Sequence, residues 1–275
     1  MLRQRVLTAA VLLGLLLAAI FLLSNTHWAL VATAALALAA REWARLAGYA
    51  TPGQMAYAAL LGLAALAIVL AEQGRGPEQA FIYAAPGKIL YALCAIFWLA
   101  IVPAWLYYRW EVRSRALLAL IGVIVLLPFW HALAWLQATP AHLLGAMAVV
   151  WVADTAAYFA GRAFGRHKLA PAISPGKTWE GVAGALVAVT AAWAALAVAA
   201  PDTAAARASG LALAVLLTVM SIQGDLFESW VKRLAGRKDS GRLLPGHGGL
   251  LDRIDALAST LPLAALYFAY PLLRV

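Results

Sequence analysis

Charge is scarce in this chain. Only 12% of the residues are Asp, Glu, Lys or Arg, against 65% hydrophobic, and a soluble fold of this length needs far more charge to cover its surface. No long polar segment offers a second, water-soluble domain, so a single membrane domain over residues 1–275 is the simplest organisation. Cysteine is nearly missing: Cys94 stands alone in an apolar run, which rules out an intramolecular disulfide and points to a buried, inert thiol. The 5 histidines are scattered and give no ligand spacing of the kind zinc requires.

What the chain has instead is recurrent apolar runs of roughly 17 to 25 residues, the length of helix that crosses a hydrocarbon core of about 30 Å. Candidate spans fall near 6–23, 28–47, 54–72, 89–108, 116–136, 142–161, 180–200, 208–228 and 256–273. The fold class is therefore all-α, a polytopic integral membrane protein of about nine transmembrane helices. Residues 1–140 would supply amino-terminal helices, and residues 141–275 a catalytic half with cytoplasmic polar loops. The first span follows Arg3 and Arg5 as a secretion signal would. Its apolar run is longer than a usual signal core and no small-x-small site closes it, so a retained helix is expected. The second span ends in Arg41, Glu42 and Arg45, and the sixth contains Asp154.

Loop charge orients these spans. With the amino terminus in the cytoplasm, every basic residue except Arg75, Lys88, Arg207 and Arg274 falls on the inside, as the positive-inside bias demands. The net charge of +9 is then mostly topological and suits an anionic leaflet. Nucleic acid is not an expected partner, because the basic residues are spread over separate short loops.

Two polar regions lie on the same expected face, from Asp154 to Gly181 and from Gly224 to Asp255. At the end of the eighth span, Asp225, Glu228, Ser229 and Lys232 share one helical face. Charge near a span implies a partner, a pathway or an ion unless it snorkels to water, and both readings stay open for Glu228. Asp252 and Asp255 stand at the start of the ninth helix, where capping is ordinary. Together with Asp225 they could instead complete an oxygen site for magnesium, which takes one or two carboxylates plus water and phosphate.

Between these acids lie Lys232, Arg233, Arg237, Lys238 and Arg242, then Pro245, Gly246, His247, Gly248 and Gly249. Such a run suits a bilayer surface, but adjacent glycines also let backbone amides approach a phosphate. Basic groups, metal-binding carboxylates and a glycine turn are the parts phosphoryl or nucleotidyl transfer uses. His247 would make a polar contact of undefined kind. The segment SPGKTWEG imitates a phosphate-binding loop, yet Pro171 occupies the position of the required first glycine and no preceding strand is expected. Ser174, Lys177 and Thr178 could still meet phosphate at a helix start. Asp154 is either a buried polar residue or part of the same site. Small residues at Gly181, Ala183, Gly184 and Ala185 would permit close helix packing.

The block from Ser229 to Asp255 resembles the signature of the phosphatidate cytidylyltransferase (CDP-diacylglycerol synthase) family. Ser229, Lys232, Arg233, Lys238, Asp239, Gly241, Pro245, His247, Gly248, Gly249, Asp252, Arg253 and Asp255 all stand at its positions, and the stretch from Asp154 to Gly181 is similar too. The resemblance is strong over roughly 150–255. It implies a magnesium-dependent reaction of CTP with phosphatidic acid, giving CDP-diacylglycerol and pyrophosphate, in a bacterial-type inner membrane with the site facing the cytoplasm. It further implies a homodimer among membrane lipids and a paired-cation centre, magnesium with potassium as candidate second cation, mapping to Asp225, Asp252 and Asp255. Lys232, Arg233, Lys238, Asp239, His247 and Arg253 would serve catalysis with Asp225 and Asp252. Ser174, Lys177, Thr178, Ser229, Gly248 and Gly249 would hold substrate. The rival reading is a secondary transporter binding a coupling ion at Asp154 and Asp225, disfavoured because no paired, interrupted half-repeats are present. A non-catalytic scaffold leaves the acid and glycine pattern without a purpose.

Overall fold

The structure, a computed structural model, describes residues 2–74, 80–199, 203–241, 243 and 248–270. Helices occupy every expected span: α1 (Leu2–Leu22), α2 (Asn25–Leu46), α3 (Thr51–Glu72), α4 (Ala85–Ile96) running through a π-turn at Phe97–Ile101 into α5 (Val102–Tyr108), α6 (Arg115–Leu136), α7 (Pro140–Phe164), α8 (Trp179–Ala199), α9 (Ala204–Leu234) and α10 (Leu251–Ala269). Among the described residues six are long and apolar enough to cross a membrane: α3, the continuous α4–α5 helix, α6, α7, α8 and α9. Local chemistry sets several starts. Ser24, Ser114 and Thr203 accept backbone N–H groups from His27, Leu117 and Ala206 as caps of α2, α6 and α9, while prolines open α3, α4 and α7.

One expectation fails. The segment Ser174–Thr178 is a strand, β2, paired antiparallel with β1 (Lys168–Ala170) through Lys168↔Thr178 and Ala170↔Ser174. The hairpin closes because Ile173 N donates to Ala170 O and Trp179 N to His167 O, and Glu180 clamps His167 Nδ1 at 2.6 Å. Lys177 thus projects from a strand immediately before α8 instead of from a helix.

The helix ends sort into two sets, as a chain that crosses back and forth requires. At one end, Trp43 Nε1 donates to Leu118 O, Tyr57 OH to Ala119 O and Trp230 Nε1 to Trp110 O. At the other, Gln137 Nε2 donates to Ile20 O, Tyr83 OH to Ala269 O and Tyr270 OH to Ile82 O. A buried polar link strengthens this second end: His131 sits between Tyr91 OH (2.9 Å) and Glu72 Oε1 (3.2 Å).

Packing at the first end is aromatic. Phe227 of α9 lies 5.2, 5.6 and 5.5 Å from the rings of Phe97, Trp98 and Trp105, with Trp43 stacked beyond, which fixes the polar end of α9 against α2 and α4–α5. Gly122 gives α6 room there: a methyl at this position would collide with Trp43 Nε1 and Tyr57 OH. Gly122→Ala should therefore cost about 2 kcal/mol by overpacking, read as a lowered midpoint in a thermal scan of detergent-purified protein.

Candidate active site

Helices α7 and α8 approach closely because their contact is built from small residues. Gly181 backs onto Ala157 O, Gly161 onto Thr178 Oγ1, and Gly184 onto Ala160, the packing logic of membrane helices. This brings Asp154, the hairpin and α9 around a cavity of about 460 Å3 lined by Asp154, Tyr158, Arg162, Ser174, Gly176, Lys177, Thr178 and Asp225, with small and apolar residues between them. Lys177 Nζ lies 2.6 Å from Asp225 Oδ2, and Asp154 is within electrostatic reach of both Lys177 and Asp225. Ser229 Oγ donates to Asp225 Oδ1 at 3.3 Å. Thr178 lines the cavity but is buried, and its Oγ1 accepts Gly181 N at 3.2 Å, which organises the start of α8. Arg162 and Tyr158, joined at 3.1 Å, were not singled out by the sequence. Their spacing from Asp154 on one helix, at four and eight residues, was the available signal.

Among the described residues of the block from Ser229 to Asp255, Ser229 bonds Asp225 at the cavity, while Lys232 and Asp252 pair with each other. Lys232 is buried, its ammonium 2.7 Å from Asp252 Oδ1 and 3.1 Å from Glu228 Oε2, so it ties α9 to α10. Asp252 spends its second oxygen on the loop, accepting Gly249 N at 2.8 Å and Ser240 N at 3.0 Å. It anchors the loop before α10, and among the described residues no three His, Cys, Asp or Glu side chains converge to hold a metal ion. Of the expected ligand set, Asp225 and Asp255 lie within electrostatic reach of each other, while Asp252 bonds Lys232. Asp252 already has a cation and two amides as partners.

The glycines follow the same loop. Gly248, at φ +82°, leaves room for Asp252 Oδ2, where a Cβ would stand 2.6 Å away, and Gly249 and Gly241 pack on Glu42. Close approach to these carboxylates leaves no room for a side chain at these positions. Glu42 and Arg45, at the end of α2, stood in the sequence only as charges closing the second span. Here Glu42 Oε2 accepts Leu251 N at 2.9 Å and lies 3.0 Å from Ser240 Oγ, while Arg45 donates to Ser240 O. Arg233, Lys238, Asp239 and Arg253 are exposed at this end of the molecule. His247, Arg242, Pro245 and Gly246 lie outside the described residues.

Between the cavity and this anchor, charge is unbalanced. Asp255 is within electrostatic reach of Asp225 and of Glu228, and α9 and α10 touch there, since a Cβ on Gly224 would stand 2.5 Å from Asp255 O. Glu228 is 4% exposed and its Oε1 has no hydrogen-bond partner. Four carboxylates, at 225, 228, 252 and 255, share Lys177 and Lys232. A buried surplus of negative charge with an orphaned oxygen requires a proton or a cation. Hard oxygen donors of this kind fit magnesium, which needs only one or two of them.

Comparison with known proteins shows the family of the chain. The sequence profile described as "Cytidylyltransferase family" matches residues 3–271. A phosphatidate cytidylyltransferase of Pseudomonas aeruginosa is 42% identical over 279 residues, 98% of each chain. One from Haemophilus influenzae is 33% identical over 289 residues, 99% of this chain and 100% of its own. One from Brucella melitensis biotype 1 is 54% identical over 123 residues, 44% of each chain. Matched end to end, with an acid-and-lysine cavity at the polar ends of its helices, the chain belongs to the cytidylyltransferase family.

Proposed function

We propose that this protein is a phosphatidate cytidylyltransferase, transferring CMP from CTP to phosphatidic acid and releasing pyrophosphate. The observation that carries this reading is the Lys177–Asp225 cavity, opening among membrane helices in a chain related to such enzymes over nearly its whole length. A lipid phosphate oxygen attacks the α-phosphorus of CTP; the new O–P bond forms as the bond to the β-phosphate oxygen breaks. Two anions must meet, so neutralising charge is the main task. Lys177 and Arg162 face the cavity and would take phosphate oxygens, Ser174 would donate a hydroxyl, and Asp225 and Asp154 hold the Lys177 ammonium in place. Phosphatidate is already ionised at neutral pH, so no strong general base is needed.

Magnesium belongs to this proposal, with Asp225 and Asp255 as the residues that would hold it and Glu228 behind them. Bound there, it would supply Lewis-acid polarisation of phosphate oxygens. Lys232 and Asp252 would act by fixing α9 against α10. The amino terminus and the cavity would face the cytoplasm, supported by the basic residues Arg41, Arg45, Arg109, Arg113 and Arg115, which cluster at the same helix ends as the Trp43–Leu118 and Trp230–Trp110 links. A homodimer in a bacterial-type inner membrane completes the reading, measurable by light scattering in detergent.

Purified protein given α-labelled CTP and phosphatidate in detergent should yield labelled, solvent-extractable lipid. Chelation should stop the reaction and added magnesium restore it. Solute uptake into proteoliposomes without any lipid product would identify a transporter instead.

A further inference from the structure

We propose that a second cavity is the acyl-chain site of the lipid substrate. It measures about 560 Å3 and is lined by α7, α8 and α9 with the end of α10. The inference rests on the lipid-cytidylylating reading, because the same three helices line the polar cavity one level up. Along α7 the polar cavity ends at Asp154 and the apolar one begins at Val152; along α9 the corresponding residues are Ile222 and Leu217. The small or short side chains Ala153, Ala185, Val189 and Ala214 pack together where these helices meet, Val189 and Ala214 on the wall of the apolar cavity.

Depth fits a lipid held by its headgroup. From Ile222 to Leu213 is nine residues of α9, about 14 Å at roughly 1.5 Å per residue, or half of a hydrocarbon core of about 30 Å. A lipid whose phosphate sits by Lys177 therefore brings its chains to the level of Gly145, Val189 and Leu213. Among the described residues the lining contains no Asp, Glu, Lys or Arg and is mostly apolar, with His142 and Tyr267 at one end, so hydrocarbon is the chemistry it takes. The wall is also shaped for concavity. Gly210 lets the Trp193 indole lie against α9, where a methyl would overlap the ring, and Trp193 Nε1 donates to Arg207 O at 3.2 Å. A Cβ on Gly145 would meet nothing within 4 Å, so side chain can be added there without disturbing the helix contacts.

Gly145→Phe tests the site by filling it. Excluding about two methylenes' worth of chain burial corresponds to roughly a tenfold change. The variant should thus lose about tenfold in kcat/KM for dioleoyl phosphatidate while dioctanoyl phosphatidate stays within about twofold. Equal loss for both lipids, no loss for either, or dissociation of an oligomer on size exclusion would overturn the proposal, the last marking the face as a contact between copies. A second measurement uses the unmodified protein: phosphatidate carrying a photoreactive diazirine near its terminal methyl should label peptides covering 141–152, 189–196 and 206–217. Labelling confined to other helices overturns the proposal even if the variant does not fold. Failure of the unmodified protein to convert dioctanoyl phosphatidate at all would instead count against the reaction assigned above.

Discussion

Asp225→Asn should lower cytidylyl transfer by on the order of 10^3-fold or more while leaving the protein folded, by size exclusion and thermal scan in detergent. The carboxylate lies 2.6 Å from Lys177 and faces the cavity with its side chain 36% exposed, so an isosteric amide perturbs packing little. What it removes is the charge that fixes the Lys177 ammonium and that a cation would need. Losing one such preorganised electrostatic contact typically costs about 10^2 to 10^3-fold, and here two functions share one group. Lys177→Met should fall in the same range, and the double variant should be scarcely worse than either, because residues acting as a unit are not additive. Near-normal turnover in purified Asp225→Asn protein would remove the pair from the chemistry.

Lys232→Met is expected to act on stability first. Its ammonium stands among Glu228, Asp252 and Asp255, with Glu228 and Asp252 side chains 5% and 9% exposed. Without it, buried carboxylates face one another with no neighbouring ammonium, and breaking a buried pair this way costs about 3 to 5 kcal/mol. The denaturation midpoint should drop sharply, and adding Glu228→Gln in the same chain should recover part of the loss. A stable but inactive Lys232→Met protein would return Lys232 to the substrate, as the sequence motif suggests. The two variants thus separate a residue that handles charge in the reaction from one that holds the helices.

The helices were legible because length and apolarity are local properties, and among the described residues six of them are long and apolar enough to cross a membrane. The Gly181 and Gly184 packing face was readable for the same reason. The strand at Ser174–Thr178 was not, since it exists only through its pairing with Lys168–Ala170 and the His167–Glu180 clamp. Nor was the split of the Ser229–Asp255 block: proximity in sequence suggested one site, but α9 carries Asp225 two turns away from Lys232, into a cavity shared with α7 and the hairpin. For Asp252 the sequence offered a helix cap or a metal ligand, and its hydrogen bonds to Ser240 N and Gly249 N, both outside α10, were visible in neither reading. Glu42 meets that loop from the far end of the chain, a contact with no local signature.

The central claim is that transfer takes place in the Lys177–Asp225 cavity. Gly176 lines it, and a Cβ there meets nothing within 4 Å, while the single native thiol, Cys94, is buried. In Gly176→Cys protein, a charged, membrane-impermeant thiol reagent should abolish conversion of labelled CTP to lipid product, and prior addition of CTP with phosphatidate should slow the modification. Complete modification of residue 176 with turnover unchanged would place the reaction elsewhere.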